Sequence, residues 1–177
     1  MEDLAAAVRE IQDRQAILDC ITRFCRGVDR MDRDLILSAY HPDAVDDHGV
    51  FVGGPEALTD WMLVVCQKIE GSAHMIGNHT VEIVGDTAHA ETYVLTGSMP
   101  YKLSCGRYID RLERRDGKWG IVARKVVLDW WAPMAGPSAS GIGPEQINAA
   151  GPPTRDRTDP SYARPLRVAA ERLAAAE

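Results

Sequence analysis

No window of this chain approaches the roughly 20 consecutive apolar residues that a membrane span requires. No block of like charges occurs either. Twenty Lys and Arg stand against 26 Asp and Glu, for a formal net charge of -6. That distribution argues against a nucleic-acid partner, which calls for a concentrated basic face. It leaves a small acidic ligand open. None of the four cysteines, Cys20, Cys25, Cys66 and Cys105, belongs to a C-x-x-C pair. They read as reduced, mostly buried thiols, with neither a disulfide frame nor a zinc site. A cysteine nucleophile would have no supporting motif. Residues 1–10 carry acids and mixed polarity instead of the basic start and apolar stretch of a secretory signal. The expectation is a cytoplasmic protein.

What is present is a hydrophobic fraction of 45%, ordinary for a globular protein and enough for a sizeable core. The 177 residues fit one domain, 1–132, followed by an arm, 133–177, rich in Pro, Gly, Ser and Ala and ending in a short amphipathic piece from Leu166 to Ala175. Leu4, Val8, Ile11, Ile17, Ile21, Phe24 and Val28 recur at helical spacing and predict a helix over about 2–30. Asp32 is suited to cap a short second helix holding Leu35, Ile36, Ala39 and Tyr40, which His41-Pro42 would end. Residues 44–52 predict two short extended pieces around the turn-rich Asp46-Asp47-His48-Gly49. Pro55 then opens a third helix running to about Gly71. From there the period changes to two. Residues 74–84, 87–98, 103–114 and 119–131 read as strands, with Asp116-Gly117 as a hairpin turn. Helices followed by long antiparallel strands predict an α+β domain, its helices on one face of a curved sheet.

Two residues stand out as carriers of chemistry. Asp29 falls on the same helical face as Leu18, Ile21, Cys25 and Val28. A carboxylate there is either paired or reaches solvent at the helix end. His74 enters the first long strand, with His79 as its competitor. A carboxylate that holds one imidazole nitrogen leaves the other as a general base. His41 and His48 are expected in turns, and His89 on either face of a strand. His41, Asp43, Asp46, Asp47 and His48 offer enough groups for a metal, yet nothing fixes their geometry and a solvated turn explains them equally well. No metal and no cofactor is expected.

The carrying segments are Phe24-Cys-Arg-Gly-Val-Asp29-Arg-Met-Asp-Arg, Tyr40-His-Pro-Asp-Ala-Val, Gly53-Gly-Pro-Glu-Ala-Leu, His74, and Arg114-Arg-Asp-Gly-Lys-Trp119. In their order and spacing, over residues 8 to 131, the chain resembles the SnoaL-like branch of the nuclear transport factor 2-like superfamily. That resemblance implies a cone-shaped α+β barrel, three helices packed on a strongly curved, mostly antiparallel sheet. It joins Asp29 to His74 as a dyad in which the carboxylate orients the imidazole and the imidazole removes a proton from carbon. Related enzymes often carry Lys or Tyr five residues before the dyad Asp, where this chain has Phe24. Arg124 is a candidate for the missing polar group, a salt bridge to a nearby carboxylate being its other reading. It is expected to share a face with Val122, Val126, Leu128 and Trp130. Tyr93, Tyr108 and Arg107 are weaker candidates for that group.

The implied activity is a cofactor-independent lyase acting on an apolar cyclic or aromatic molecule in a hydrophobic cavity, losing water, halide or formaldehyde. An isomerase or cyclase in the same cavity, or a non-catalytic binding or oligomerisation domain, are the alternatives. Phe24, Trp61, Tyr93, Tyr108 and Trp130 are the expected substrate-binding residues. For the tryptophans, an ordinary core or a subunit interface is the competing reading. The resemblance also implies a homo-oligomer, a trimer ahead of a dimer, and a C-terminal segment that helps to close the cavity.

Overall fold

The structure, a computed structural model, describes residues 2–99, 102–133, 154–159 and 162. The chain divides into two compact units, Met1–Met134 and Ala135–Glu177. In the second unit, the Thr154 N–H donates to the Asp159 carboxylate at 3.0 Å and the Thr158 N–H to Asp156 at 2.7 Å. The helix expected over 166–175 lies outside the described residues, as does most of the arm. Among the described residues, no helix is long and apolar enough to cross a membrane.

The first unit begins with α1 (Glu2–Arg30) and α2 (Arg33–Leu37). The apolar stripe of α1 becomes core from Ile17 onward: Ile17, Cys20, Ile21, Phe24, Cys25 and Val28 are all buried. Leu4, Val8 and Ile11 belong to the same stripe but stay exposed. Asp32 caps α2 as its sequence predicts, its carboxylate accepting from the Leu35 N–H at 3.1 Å. Gly27 lets the two helices meet. A Cβ there would stand 2.7 Å from both Cγ1 and N of Ile36.

The second helix is shorter than expected. Its last carbonyls are satisfied by the Ser38 N–H, and the Ala39 carbonyl accepts from the Ile121 N–H at 2.9 Å. That bond draws the chain into the sheet, so Tyr40 opens strand β1 (Tyr40–Asp47) instead of closing a helix. His41 and Pro42 therefore lie in a strand. The ladder is irregular between Tyr40 and Val45, where Pro42 has no N–H to give. Asp46 and Asp47 also belong to β1, and the turn is confined to His48–Phe51, closed by the His48 N–H on the Phe51 carbonyl at 2.8 Å. β2 (Val52–Gly53) pairs back on β1. α3 (Pro55–Cys66) starts at Pro55 but stops before Ile69, which sits in tighter turns.

Four long strands follow: β3 (Gly71–Val84), β4 (Thr87–Met99), β5 (Lys102–Arg115) and β6 (Lys118–Pro133). The sheet has six strands in the order β2-β1-β6-β5-β4-β3, with only β1 and β6 parallel. Asp116 and Gly117 both take positive φ, 50° and 75°, as a two-residue turn of this hand demands. Trp119 and Arg114 tie that hairpin to α1, both donating to Asp13 at 2.8 Å. The helices pack on the inner face, and the fold is the expected α+β cone.

Two register shifts in β6 decide which side chains reach the inner face. One falls between Arg111 and Leu112, and Ile121 and Arg124, three residues apart, are both buried. The other falls between Cys105 and Gly106. Leu128 pairs with Gly106 and Trp130 with Cys105, leaving Asp129 as an extra residue. Strict alternation put Trp130 on the face of Arg124. The bulge reverses it, so Trp130 is on the outer face and half exposed.

Candidate functional site

α1 ends where β3 begins, and that junction holds Asp29 against His74. The His74 Nδ1 lies 2.6 Å from Asp29 Oδ1. The Asp29 carboxylate also accepts from the His74 backbone N–H at 2.9 Å and from the Ser72 hydroxyl at 3.1 Å. An ionised carboxylate only accepts, so the imidazole tautomer that bonds to it carries its proton on Nδ1. The lone pair of Nε2 is then free, and Nε2 has no partner among the described residues. The two side chains are 15% and 10% exposed, sheltered without being sealed.

His74 lines a cavity of about 350 Å³ between α3 and the inner face of the sheet. Its walls are mainly apolar, with Trp61, Met62 and Val65 from α3 facing Val94 and Val126 from the sheet. Thr96 and Ser104, which pair across strands with His74 and with each other, give it a polar strip. Tyr108 forms part of the floor. The size lies at the lower end of the range for small-molecule sites.

Of the residues expected around a substrate, Trp61 and Tyr108 line this cavity and Phe24, Tyr93 and Trp130 do not. Tyr93 alternates outward from Val94, is 38% exposed and carries the Arg107 guanidinium over its ring. Arg107 pairs with Asp129 on that outer face at 2.8 Å. Phe24 is fully buried beneath the cavity, in edge contact with Tyr40 and Tyr108 at 5.8 Å between ring centroids.

Arg124 points inward, but its geometry fits the salt bridge and not the polar group expected beside the substrate, since it lies behind the cavity wall. Its guanidinium forms a two-pronged pair with Asp110, at 2.7 and 2.8 Å, both side chains fully buried. It lies 4.5 Å from the Phe24 ring centre and 4.1 Å from that of Tyr108. Burial works against its charge, but Asp110 and the neighbouring phenols hold its pKa well above the ordinary value. It does not line the cavity. Phe24 thus stands where a cation needs an aromatic face. The same burial raises Tyr40 and Tyr108 well above the usual phenol range and pushes the Cys25 thiol up to about 12. Cys25 is an inert core thiol, not a nucleophile.

The other histidines are dispersed. His41 Nε2 meets the Glu113 carbonyl at 2.9 Å, and Asp43 pairs with Arg115. His79 contacts Thr92 at 2.7 Å, and burial lowers its pKa. His89 is exposed on the outer face. His48 is the exception. It lines the same cavity as His74, its Nδ1 bonded to Asp46, whose other oxygen accepts from the Tyr40 hydroxyl at 2.6 Å. Sequence reasoning assigned Asp46 and His48 to a solvated turn. The only signal for the pair was their i, i+2 spacing. Among the described residues, no three His, Cys, Asp or Glu side chains converge as a metal site.

Comparisons with known proteins agree with this architecture. An uncharacterized protein of Mycobacterium tuberculosis (strain ATCC 25618 / H37Rv) is 29% identical over 127 residues, covering 67% of this chain and 86% of the relative. The crystal structure of LinA superposes with a TM-score of 0.69 at 24% identity, over 80% of this chain and all of that one. A hexachlorocyclohexane dehydrochlorinase of Novosphingobium barchaimii gives 0.67 at 24% identity, over 73% and 95% of the two chains. A scytalone dehydratase-like protein of Novosphingobium aromaticivorans gives 0.64 at 18%, over 76% and 95%. At these identities the structural likeness establishes the fold. The family model for the SnoaL-like domain matches residues 9–125, two thirds of the sequence, and the chain therefore belongs to the SnoaL-like family of the NTF2-like superfamily.

Proposed function

We propose that this protein is a lyase in which His74 removes a proton from carbon and a neighbouring group departs to leave a double bond. The observation that carries the reading is the Asp29–His74 hydrogen bond beside an apolar cavity, with the far imidazole nitrogen unpartnered among the described residues. Asp29 fixes the ring and its tautomer and balances the charge that develops when Nε2 takes the proton. The imidazole accepts that proton itself, so the step asks for no cofactor. The cavity suits one or two fused rings, and its apolar walls favour a cyclic or aromatic substrate. Several structural neighbours are named as dehydrochlorinase or dehydratase, which supports elimination. The four free cysteines, three of them buried, suit a reducing cytoplasm.

The test is hydrogen exchange on carbon. Wild type and His74→Ala are incubated in deuterated water with ring ketones bearing a leaving group β to the carbonyl, β-hydroxyindanone and β-chloroindanone among them, and products are followed by mass spectrometry. The expected result is exchange and elimination by wild type, reduced by at least about 10²-fold in the variant. Exchange into a new carbon position without loss of the group would make it an isomerase. Equal behaviour of the two proteins would remove His74 from the chemistry and leave a binding domain.

A further inference from the structure

The cavity holds a second imidazole–carboxylate pair that the base does not use. His48 enters from the turn after β1, between the Phe24 and Trp61 rings, at 6.1 and 6.3 Å between centroids. Trp61 is itself stacked on Phe51 at 5.2 Å. The imidazole is 14% exposed and Asp46 only 1%. Its Nδ1 is engaged by Asp46, and its Nε2 has no partner among the described residues. The turn itself does not need this ring. It is closed by backbone bonds from the His48 N–H to Phe51 and from the Val50 N–H to His48, and by the Gly49 N–H on Asp47. Behind Asp46 the hydrogen bonds continue. The Tyr40 hydroxyl donates to it, and the Arg124 guanidinium, already paired with Asp110, reaches the Tyr40 oxygen at 3.4 Å. Asp46 is therefore held at two oxygens and is placed to stabilise a positive imidazole.

We infer that His48 is the general acid of the reaction, protonating the leaving group while His74 takes the proton from carbon. This inference rests on the lyase reading above and deepens it. Two imidazoles, each backed by its own carboxylate, line one small cavity from different walls, His74 from β3 and His48 from the β1–β2 turn. In the step, His48 begins with a proton on both ring nitrogens, its Nδ1–H on Asp46. His74 Nε2 takes the carbon-bound proton and the C–H electron pair becomes the new π bond. The C–O bond breaks with its pair on oxygen, and the Nε2 proton of His48 completes a neutral water or alcohol. His74 ends protonated and His48 neutral, and exchange with solvent restores both. A halide departs as a stable anion and has no use for such a donor. The substrate class is accordingly a ring compound with a hydroxyl or alkoxy group β to an acidified C–H.

The experiment compares His48→Gln, His74→Ala and wild type on β-hydroxyindanone and β-chloroindanone, which eliminate to the same indenone. Uncatalysed rates are subtracted, and deuterium exchange at the carbon next to the carbonyl is read in parallel. His48→Gln is expected to slow loss of hydroxide by about 10²–10⁴-fold and loss of chloride by less than tenfold. His74→Ala is expected to slow both reactions and the exchange. Hydroxide loss unaffected by His48→Gln, with wild-type exchange present, overturns the acid while leaving the base. Equal loss of both reactions and of exchange in His48→Gln makes the residue structural and overturns it too. If wild type exchanges no deuterium and eliminates neither probe, the base reading fails first and the acid with it.

Discussion

Asp110 and Arg124 show how much a single charge depends on its partner. Both are fully buried, and neither reaches the cavity. Removing one partner of such a pair strands the other in a low-dielectric interior, at a cost of about 3–5 kcal/mol, whereas replacing both with apolar residues costs far less. Asp110→Ala is therefore expected to lower stability in urea unfolding by that amount, and the double variant Asp110→Leu, Arg124→Met to recover much of it. A single variant as stable as wild type would mean that the pair contributes nothing. The residue scale is also where the sequence was least legible. Arg124 could be identified as an inward candidate, but its carboxylate partner could not, because Asp110 lies on a neighbouring strand and only the β5–β6 register opposes the two.

At the scale of elements, the site depends on how α1 and α2 cross. In an isolated helix, Gly→Ala stabilises by about 1 kcal/mol. At Gly27 the sign should reverse, because a Cβ would press on the Ile36 backbone. Gly27→Ala is expected to destabilise by about 1–3 kcal/mol in urea unfolding and to slow proton exchange, since Asp29 sits two residues on. A stabilised variant would show that α2 can retreat freely. Most elements were legible. The 3.6-residue stripe of α1, the cap at Asp32, Pro55 at the start of α3 and the Asp116-Gly117 turn are local signals, and the structure follows them. The errors came where a tertiary bond overrode a local one, as at Tyr40, which leaves α2 for β1 because Ala39 accepts from Ile121.

On the scale of the whole molecule, the outer face of the sheet carries an apolar row. Met75, Leu95, Cys105 and Trp130 are successive neighbours across β3 to β6. Met75 is 57% and Trp130 48% exposed. Exposed apolar rows on a sheet face are a common form of interaction surface. We propose that it is covered by further copies of the chain, as a trimer. Sedimentation of the wild type is expected to show the trimer, and Trp130→Glu to shift it towards monomer. A wild-type monomer, or a variant that sediments unchanged, would rule this surface out.

The amino-acid sequence by itself determined what short range can encode: the helix faces, the strand periods, the tight turns and the α+β class. It also supplied Asp29 and His74, the first on an apolar stripe and the second at a strand entry. Only the tertiary structure decided which groups meet. Asp29 and His74 are 45 residues apart and touch because α1 ends over the start of β3. Trp130 faces away from the cavity because one extra residue in β6 shifts the strand's two-residue alternation. His48 shares a cavity with His74 because β1 pairs with β6 and not with its neighbours in sequence alone. Register and bulges are set by the summed packing of whole strands, and no local window of residues contains that sum.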